Sequence, residues 1–135
     1  MSIPNTSQAT ADLLAILLTP GIGPIRAARL IEALGSASEV RRASPAHLKR
    51  VKGIGEQLSR SFAEGLRRAE ALVQTELELA EKLGVHLVPL DSEAYPPLLR
   101  TVHAPPPLLY VKGRMDWTGR ERFPVAIVGS RECTH

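Results

Sequence analysis

The chain has 135 residues, 44% of them hydrophobic and 23% charged, which excludes wholesale disorder and suits one ordinary domain or two small ones. A single cysteine, Cys133, excludes an internal disulfide, and no apolar run approaches the roughly 18 residues of a membrane span. The first ten residues lack the positive segment of a secretory signal, so we expect a cytoplasmic protein without membrane contact.

Positive charge is concentrated in one part of the chain. The formal net charge is +3, but residues 26–68 contain ten Lys/Arg and four Asp/Glu, a net charge of +6. The remaining residues contain seven basic and ten acidic side chains, a net charge of −3. Such a segment favours attraction to a polyanion, although a solvated helical surface has the same composition.

The first half of the sequence contains an internal repeat. Gly-Ile-Gly occurs at 21–23 and again at 53–55, which gives a period of 32 residues. A small residue and then an apolar residue follow each copy at matching positions, namely Ala27 and Leu30, then Ser59 and Phe62. The repeat predicts two equivalent turns, each of which leads into a helix.

The first turn is predicted to join two helices. Helical spacing of apolar residues indicates a helix over 10–19, with Thr10 as its N-cap. The two glycines permit a backbone with positive φ, and Ile22 would plug the turn into the core. Pro24 suits the first turn of the next helix, which would run to about Leu34 and end at Gly35.

The second turn is predicted to open a long helix. Two short connecting helices, each begun by a serine, precede it in the segments 36–43 and 44–51. The long helix itself is expected from about Glu56 to Leu83, where Gly84 would stop it. The first 84 residues are therefore predicted to form an all-α domain.

This pattern resembles a tandem helix-hairpin-helix domain of the SAM-like group. In that family the backbone N–H groups of the Gly-apolar-Gly turn hold a DNA phosphate without reading the bases. The resemblance implies that the following residues at or near the two turns are possible phosphate contacts: Gly21, Gly23, Arg26, Lys52, Gly53, Gly55 and Arg60. Many domains of this kind contact only proteins, so the fold by itself leaves both uses open.

After Gly84 the pattern changes to short apolar runs. "VHLVPL" at 85–90 and "LLYV" at 108–111 indicate strands, with a helical turn and several prolines between them. The run 125–128 indicates a last, buried strand, which Gly129-Ser130-Arg131 follows directly. A strand that ends in this way can cradle a phosphate, although a Gly-Ser pair is commonly a simple turn.

Three motifs stand in order in this half, "YPPLL" at 95–99, "PPLLYVKG" at 106–113 and "VAIVGSRECT" at 125–134. With the helical domain ahead of them, they resemble the DNA processing protein A family (DprA, also called Smf) over roughly residues 10–135. The resemblance implies an α+β chain, with a helix-hairpin-helix domain at 1–84 and the first strands of an extended Rossmann-like α/β domain at 85–135.

The resemblance also implies a function. The family is non-catalytic and acts in natural transformation, where it binds single-stranded DNA, protects it and helps load a RecA-type recombinase. Its phosphate-binding loop corresponds here to Gly129, Ser130, Arg131 and Thr134. Because the family's domain continues with a helix and more strands, we expect this chain to be a truncated or cleaved piece, with homodimerisation reserved for the full-length protein.

Two alternatives stay open. The helical domain can be a protein-protein interaction module, with DNA binding confined to the rest of the Rossmann-like domain. Rossmann-like relatives also include nucleotide-processing phosphoribohydrolases, but no candidate catalytic acid stands out in this sequence. The four histidines lack metal-ligand spacing, so neither a metal nor a cofactor is predicted. Tyr95 and Tyr110 are expected to pack in the fold rather than stack on bases.

Overall fold

The computed structural model describes residues 6–114 and 125–132. Within them the architecture is α+β, as the sequence predicts, with a largely helical first half and a small antiparallel sheet. The elements are, in chain order, α1 Gln8–Leu18, α2 Pro24–Leu34, α3 Ala37–Arg42, α4 Pro45–Leu48, α5 Glu56–Leu83, β1 Val85–Pro89, α6 Pro97–Arg100 and β2 Leu108–Lys112.

Serine side chains begin three of the helices. Ser36 and Ser44 cap α3 and α4, which confirms the expectation of two short helices opened by serines. The prediction of Thr10 as the cap of α1 is wrong. Ser7 is the cap, and its Oγ accepts the Thr10 backbone N–H at 3.2 Å, because the helix already begins at Gln8.

Two apolar clusters form the core, and α5 contributes to both. The first cluster gathers the hairpins and the surrounding helices, and it contains Ile16, Ile22, Ala27, Leu30, Val40, Leu48, Val51, Ile54, Phe62, Ala63 and Leu66. The second cluster joins α1 and α5 to the sheet, since Leu13, Leu14 and Val73 lie in it with Leu108 of β2. The sheet therefore packs on the helical part, and Gly84 connects α5 to β1 without a linker.

The sheet consists of β1 and β2 paired antiparallel, with Leu87 opposite Tyr110 and Pro89 opposite Leu108. Tyr95 lies beneath it, fully buried, and its hydroxyl donates a hydrogen bond to the Pro106 carbonyl at 2.8 Å. A ring enclosed in this way has no face free for a base, so Tyr95 is a packing residue, as the sequence predicts.

The predicted strand at Val125–Val128 does not form. These residues have no strand pairing, and Val125, Ile127 and Val128 are 85%, 96% and 90% exposed. A strand is stable only when its N–H and C=O groups meet a neighbouring strand, and within the described residues none pairs with this segment. The apolar run is therefore not enough to predict a strand, because a strand also needs a neighbouring strand to pair with.

Tyr110 is 49% exposed and so is less enclosed than the sequence predicts, but its hydroxyl, partly buried beside Glu76, makes the fold sensitive to strongly alkaline pH. Burial, followed by the charge and hydrogen bond of Glu76, raises the pKa of Tyr110 from 10.0 to about 12. A raised pKa favours the neutral hydroxyl of the folded state, so its stabilisation is complete below pH 10 and disappears as the pH rises through 12. We expect the free energy of unfolding to fall more steeply across this range for the unaltered chain than for Tyr110→Phe. Equal slopes would contradict this.

Candidate nucleic-acid interface

The two Gly-Ile-Gly turns, called hairpin 1 (residues 21–23) and hairpin 2 (residues 53–55), have the same backbone geometry. Their first glycines, Gly21 and Gly53, have φ angles of +82° and +88°, in a backbone region that residues other than glycine rarely adopt. In each turn the isoleucine N–H donates to a carbonyl three residues earlier, at 3.1 Å in both. The sequence repeat is therefore also a structural repeat.

The second glycine of each hairpin begins a helix. Gly23 caps α2 and Gly55 caps α5, both in extended backbone and both without a side-chain hydrogen bond to the first helical turn. The first N–H groups of a helix have no partner within the helix and carry partial positive charge, so they favour an anion. Helix α2 has one fewer of them than α5, because Pro24 at its first position has no N–H. A Cβ built on either glycine would meet nothing within 4 Å, so the space in front is open.

Buried isoleucines hold the exposed turns in place. Ile22 and Ile54 are 3% and 7% exposed, whereas the four glycines around them are exposed. Hairpin 1 also lies against α5, because a Cβ on Gly21 would stand 3.2 Å from the ring of Phe62. Each turn thus presents its backbone to solvent from a fixed position on the core.

The basic side chains around the hairpins differ between the two copies. Arg26 donates through Nη1 to the Gly21 carbonyl at 2.8 Å, which places its charge beside hairpin 1. Lys52 is exposed, and within the described residues nothing pairs with its ammonium group. Arg60 donates through Nη2 to Glu56 Oε1 at 2.9 Å. Arg26 and Lys52 are therefore exposed next to a hairpin, whereas Arg60 is engaged by an acid, and phosphate contact by the three residues stays a prediction.

Glu56 is a feature of the site that the sequence analysis missed. Its carboxylate accepts from Lys49 Nζ at 2.5 Å as well as from Arg60, so one acid at the first position of α5 pairs with two cations. The hydrogen bond and charge of Lys49, followed by those of Arg60, lower the pKa of Glu56 below its ordinary value. The spacing of Glu56 and Arg60, four residues apart on a helix, could have indicated the second pair.

The second predicted site, the loop at Gly129-Ser130-Arg131, is exposed. Its Ser130 hydroxyl donates to the Glu132 carbonyl at 2.5 Å, and no hydrogen bond or ion pair in the described residues joins it to either hairpin. Thr134, the fourth residue predicted here, lies outside the described residues. The hairpin residues and the loop are therefore two separate candidate sites.

A buried polar cluster that links α1, α3 and α5 also escaped the sequence analysis. Asp12 is 6% exposed and accepts from Ser38 Oγ at 2.5 Å, from Gln8 Nε2 at 3.0 Å and from Arg41 Nη1 at 3.4 Å. Arg41 also donates to Glu70 of α5 at 2.6 Å. The cluster links α1, α3 and α5, which is a structural role.

Within residues 6–114 and 125–132, no group of three or more His, Cys, Asp or Glu side chains is arranged to hold a metal ion. None of the helices in the same ranges combines the length and the apolar character that crossing a membrane requires.

Comparison with known proteins bears on both candidate sites. Residues 11–68 match the family model described as SAM-like Helix-hairpin-helix tandem, and residues 86–135 match that of DNA recombination-mediator protein A. The chain is 33% identical over 116 residues to Protein Smf of Synechocystis, an alignment that covers 84% of this chain and 29% of that protein. The chain thus spans less than a third of its relative's length. No solved structure matches it. Together these matches support the resemblance to the DNA recombination-mediator protein A (Smf) family, whose model matches residues 86–135, with a SAM-like helix-hairpin-helix tandem ahead of that segment.

Proposed function

We propose that this chain binds DNA without base specificity, through phosphate contacts at hairpins 1 and 2. The observation that carries the proposal is the repeated geometry of two exposed glycine turns, each of which opens a helix with uncapped N–H groups. Both turns lie in the segment of net charge +6. Backbone N–H groups and flanking cations contact phosphates of any sequence, so no base readout is required.

The family suggests the wider role. The full activity would be binding of single-stranded DNA in natural transformation, with protection of the incoming strand and help in loading a RecA-type recombinase, and without catalysis. Gly129, Ser130, Arg131 and Thr134 would add a second phosphate contact once a neighbouring strand supports the segment before them. Homodimerisation, a cytoplasmic location and a domain boundary between residues 84 and 85 belong to the same proposal.

A second candidate function is protein contact. Leu72, Leu79 and Leu83 of α5 are 51%, 47% and 49% exposed, and their spacing places them on one face of the helix. An apolar stripe of this kind is typical of a surface that another protein covers. If it is the main use of the helical part, the hairpins would bind DNA weakly.

Fluorescence anisotropy of the 135-residue chain with labelled single-stranded DNA, and with a duplex of equal length, tests the proposal. We expect binding in the micromolar range at low salt, with log K falling linearly in log salt by about 0.7 per phosphate contact for the single strand and about 0.9 for the duplex. Absence of binding to both DNAs at low salt would contradict the proposal and favour protein contact.

A further inference from the structure

The two hairpins have the same backbone geometry but differ in the charges of the first helical turn. The residue directly after the second glycine is Pro24 in hairpin 1 and Glu56 in hairpin 2. The first turn of α2 has no acid, whereas α5 carries the Glu56 carboxylate at its first residue. The end of α5 that would attract a phosphate therefore already has an anion beside it.

The carboxylate also occupies the cations that would assist hairpin 2. Lys49 Nζ lies 2.5 Å from Glu56 Oε2, and Arg60 Nη2 lies 2.9 Å from Glu56 Oε1. All three side chains are more than half exposed, so a phosphate can approach both cations only in competition with Glu56. At hairpin 1 the nearby cation is Arg26, which aligns with Leu58 in the repeat; it donates to a backbone carbonyl, and no ion pair within the described residues includes it.

We infer that Glu56 is an internal competitor of the DNA phosphate at hairpin 2. The two hairpins consequently contact DNA unequally, despite their common geometry. Glu56 lowers the affinity of the two hairpins for DNA, because it holds Lys49 and Arg60 in ion pairs that a phosphate would have to replace. This inference rests on the proposed function and assigns to Glu56 a role in tuning it.

Glu56→Gln tests the inference, and Glu64→Gln is its matched control. Glu64 pairs with Arg68 on the same helix in the same i,i+4 arrangement, so both changes remove one carboxylate and release an arginine. Only Glu56 lies at a hairpin. With a labelled duplex, we expect Glu56→Gln to bind about threefold to tenfold more tightly than the unaltered chain, and Glu64→Gln less than twofold.

The salt dependence separates a direct role from a general change of charge. Release of Lys49 and Arg60 to phosphates should steepen the slope of log K against log salt by about 0.9 for each new contact in Glu56→Gln, and leave it unchanged in Glu64→Gln. Equal affinities and slopes of the two variants would overturn the inference and leave the proposed function intact. Failure of all three proteins to bind DNA would instead overturn the proposed function. Thermal unfolding of each variant verifies that it is folded.

Discussion

Reversal of charge at both hairpins, in Arg26→Glu with Lys52→Glu, is expected to weaken DNA binding on the order of a hundredfold at low salt. Arg26 lies at hairpin 1, held by its hydrogen bond to Gly21, and Lys52 is an exposed ammonium beside hairpin 2. Each change removes a phosphate contact and places a carboxylate where the phosphate would lie. The measurement is anisotropy against salt, in which the slope should become shallower by about two contacts.

The matched control reverses two cations away from the hairpins. Arg67 and Lys82 are exposed on α5, and Arg67→Glu with Lys82→Glu alters the net charge by the same amount. We expect it to weaken binding less than about fivefold, through the long-range field alone. Equal losses in the two pairs would mean that net charge, rather than hairpin contact, governs binding. Arg131→Ala in the same assay measures the share of the Gly-Ser-Arg loop, and a larger effect there than at the hairpins would make the loop the leading site.

Asp12→Ala is expected to lower the free energy of unfolding by about 3 kcal/mol, the largest effect we predict for a polar side chain of this fold. The buried carboxylate accepts from Ser38 and Arg41, and its removal leaves these two partly buried donors without that acceptor. Arg41 keeps Glu70, whose side chain is 80% exposed and replaces only part of the loss. Denaturation by urea, followed by circular dichroism, gives the difference.

Asp91→Ala provides the control for this prediction. Asp91 is an exposed acid in a turn, so the same chemical change there should cost less than about 0.5 kcal/mol. Asp12→Asn should give an intermediate loss, because the amide oxygen still accepts from Ser38 while the charge facing Arg41 disappears. If Asp12→Ala and Asp91→Ala unfold at the same urea concentration, the buried cluster contributes nothing to stability.

Local signals in the sequence predicted the helical part closely. The bounds of α2 and α5 follow from Pro24 and Gly35 in one case and from Gly55 and Gly84 in the other, because each residue acts within one helical turn of its own position. The burial of Ile22 and Ile54 follows from the repeat in the same way. The backbone of the candidate site could therefore be predicted from a period of 32 residues.

Interactions between distant residues could not be predicted in this way. Asp12 finds Ser38 and Arg41 at separations of 26 and 29 residues, and no local pattern indicates which of the acids will be buried with which cation. The prediction of a strand at 125–128 is wrong for a related reason. A strand forms only where a neighbouring strand pairs with it, and the apolar residues of the segment do not reveal whether one does. The pairing of Glu56 with Lys49, seven residues apart across hairpin 2, depends on the turn and not on helical spacing.

Helix α5 fixes the distance between hairpin 2, the proposed phosphate site, and the sheet. Its 28 unbroken residues span about 42 Å at 1.5 Å per residue, the length of about twelve base pairs of duplex. Hairpin 2 lies at one end and β1 begins directly after the other, so anything bound near the sheet stands at a set distance and angular phase from the phosphate at the hairpin. One residue inserted in α5 would rotate the sheet relative to hairpin 2 by about 100°, whereas seven inserted residues would nearly restore the original orientation and lengthen the helix by about two turns.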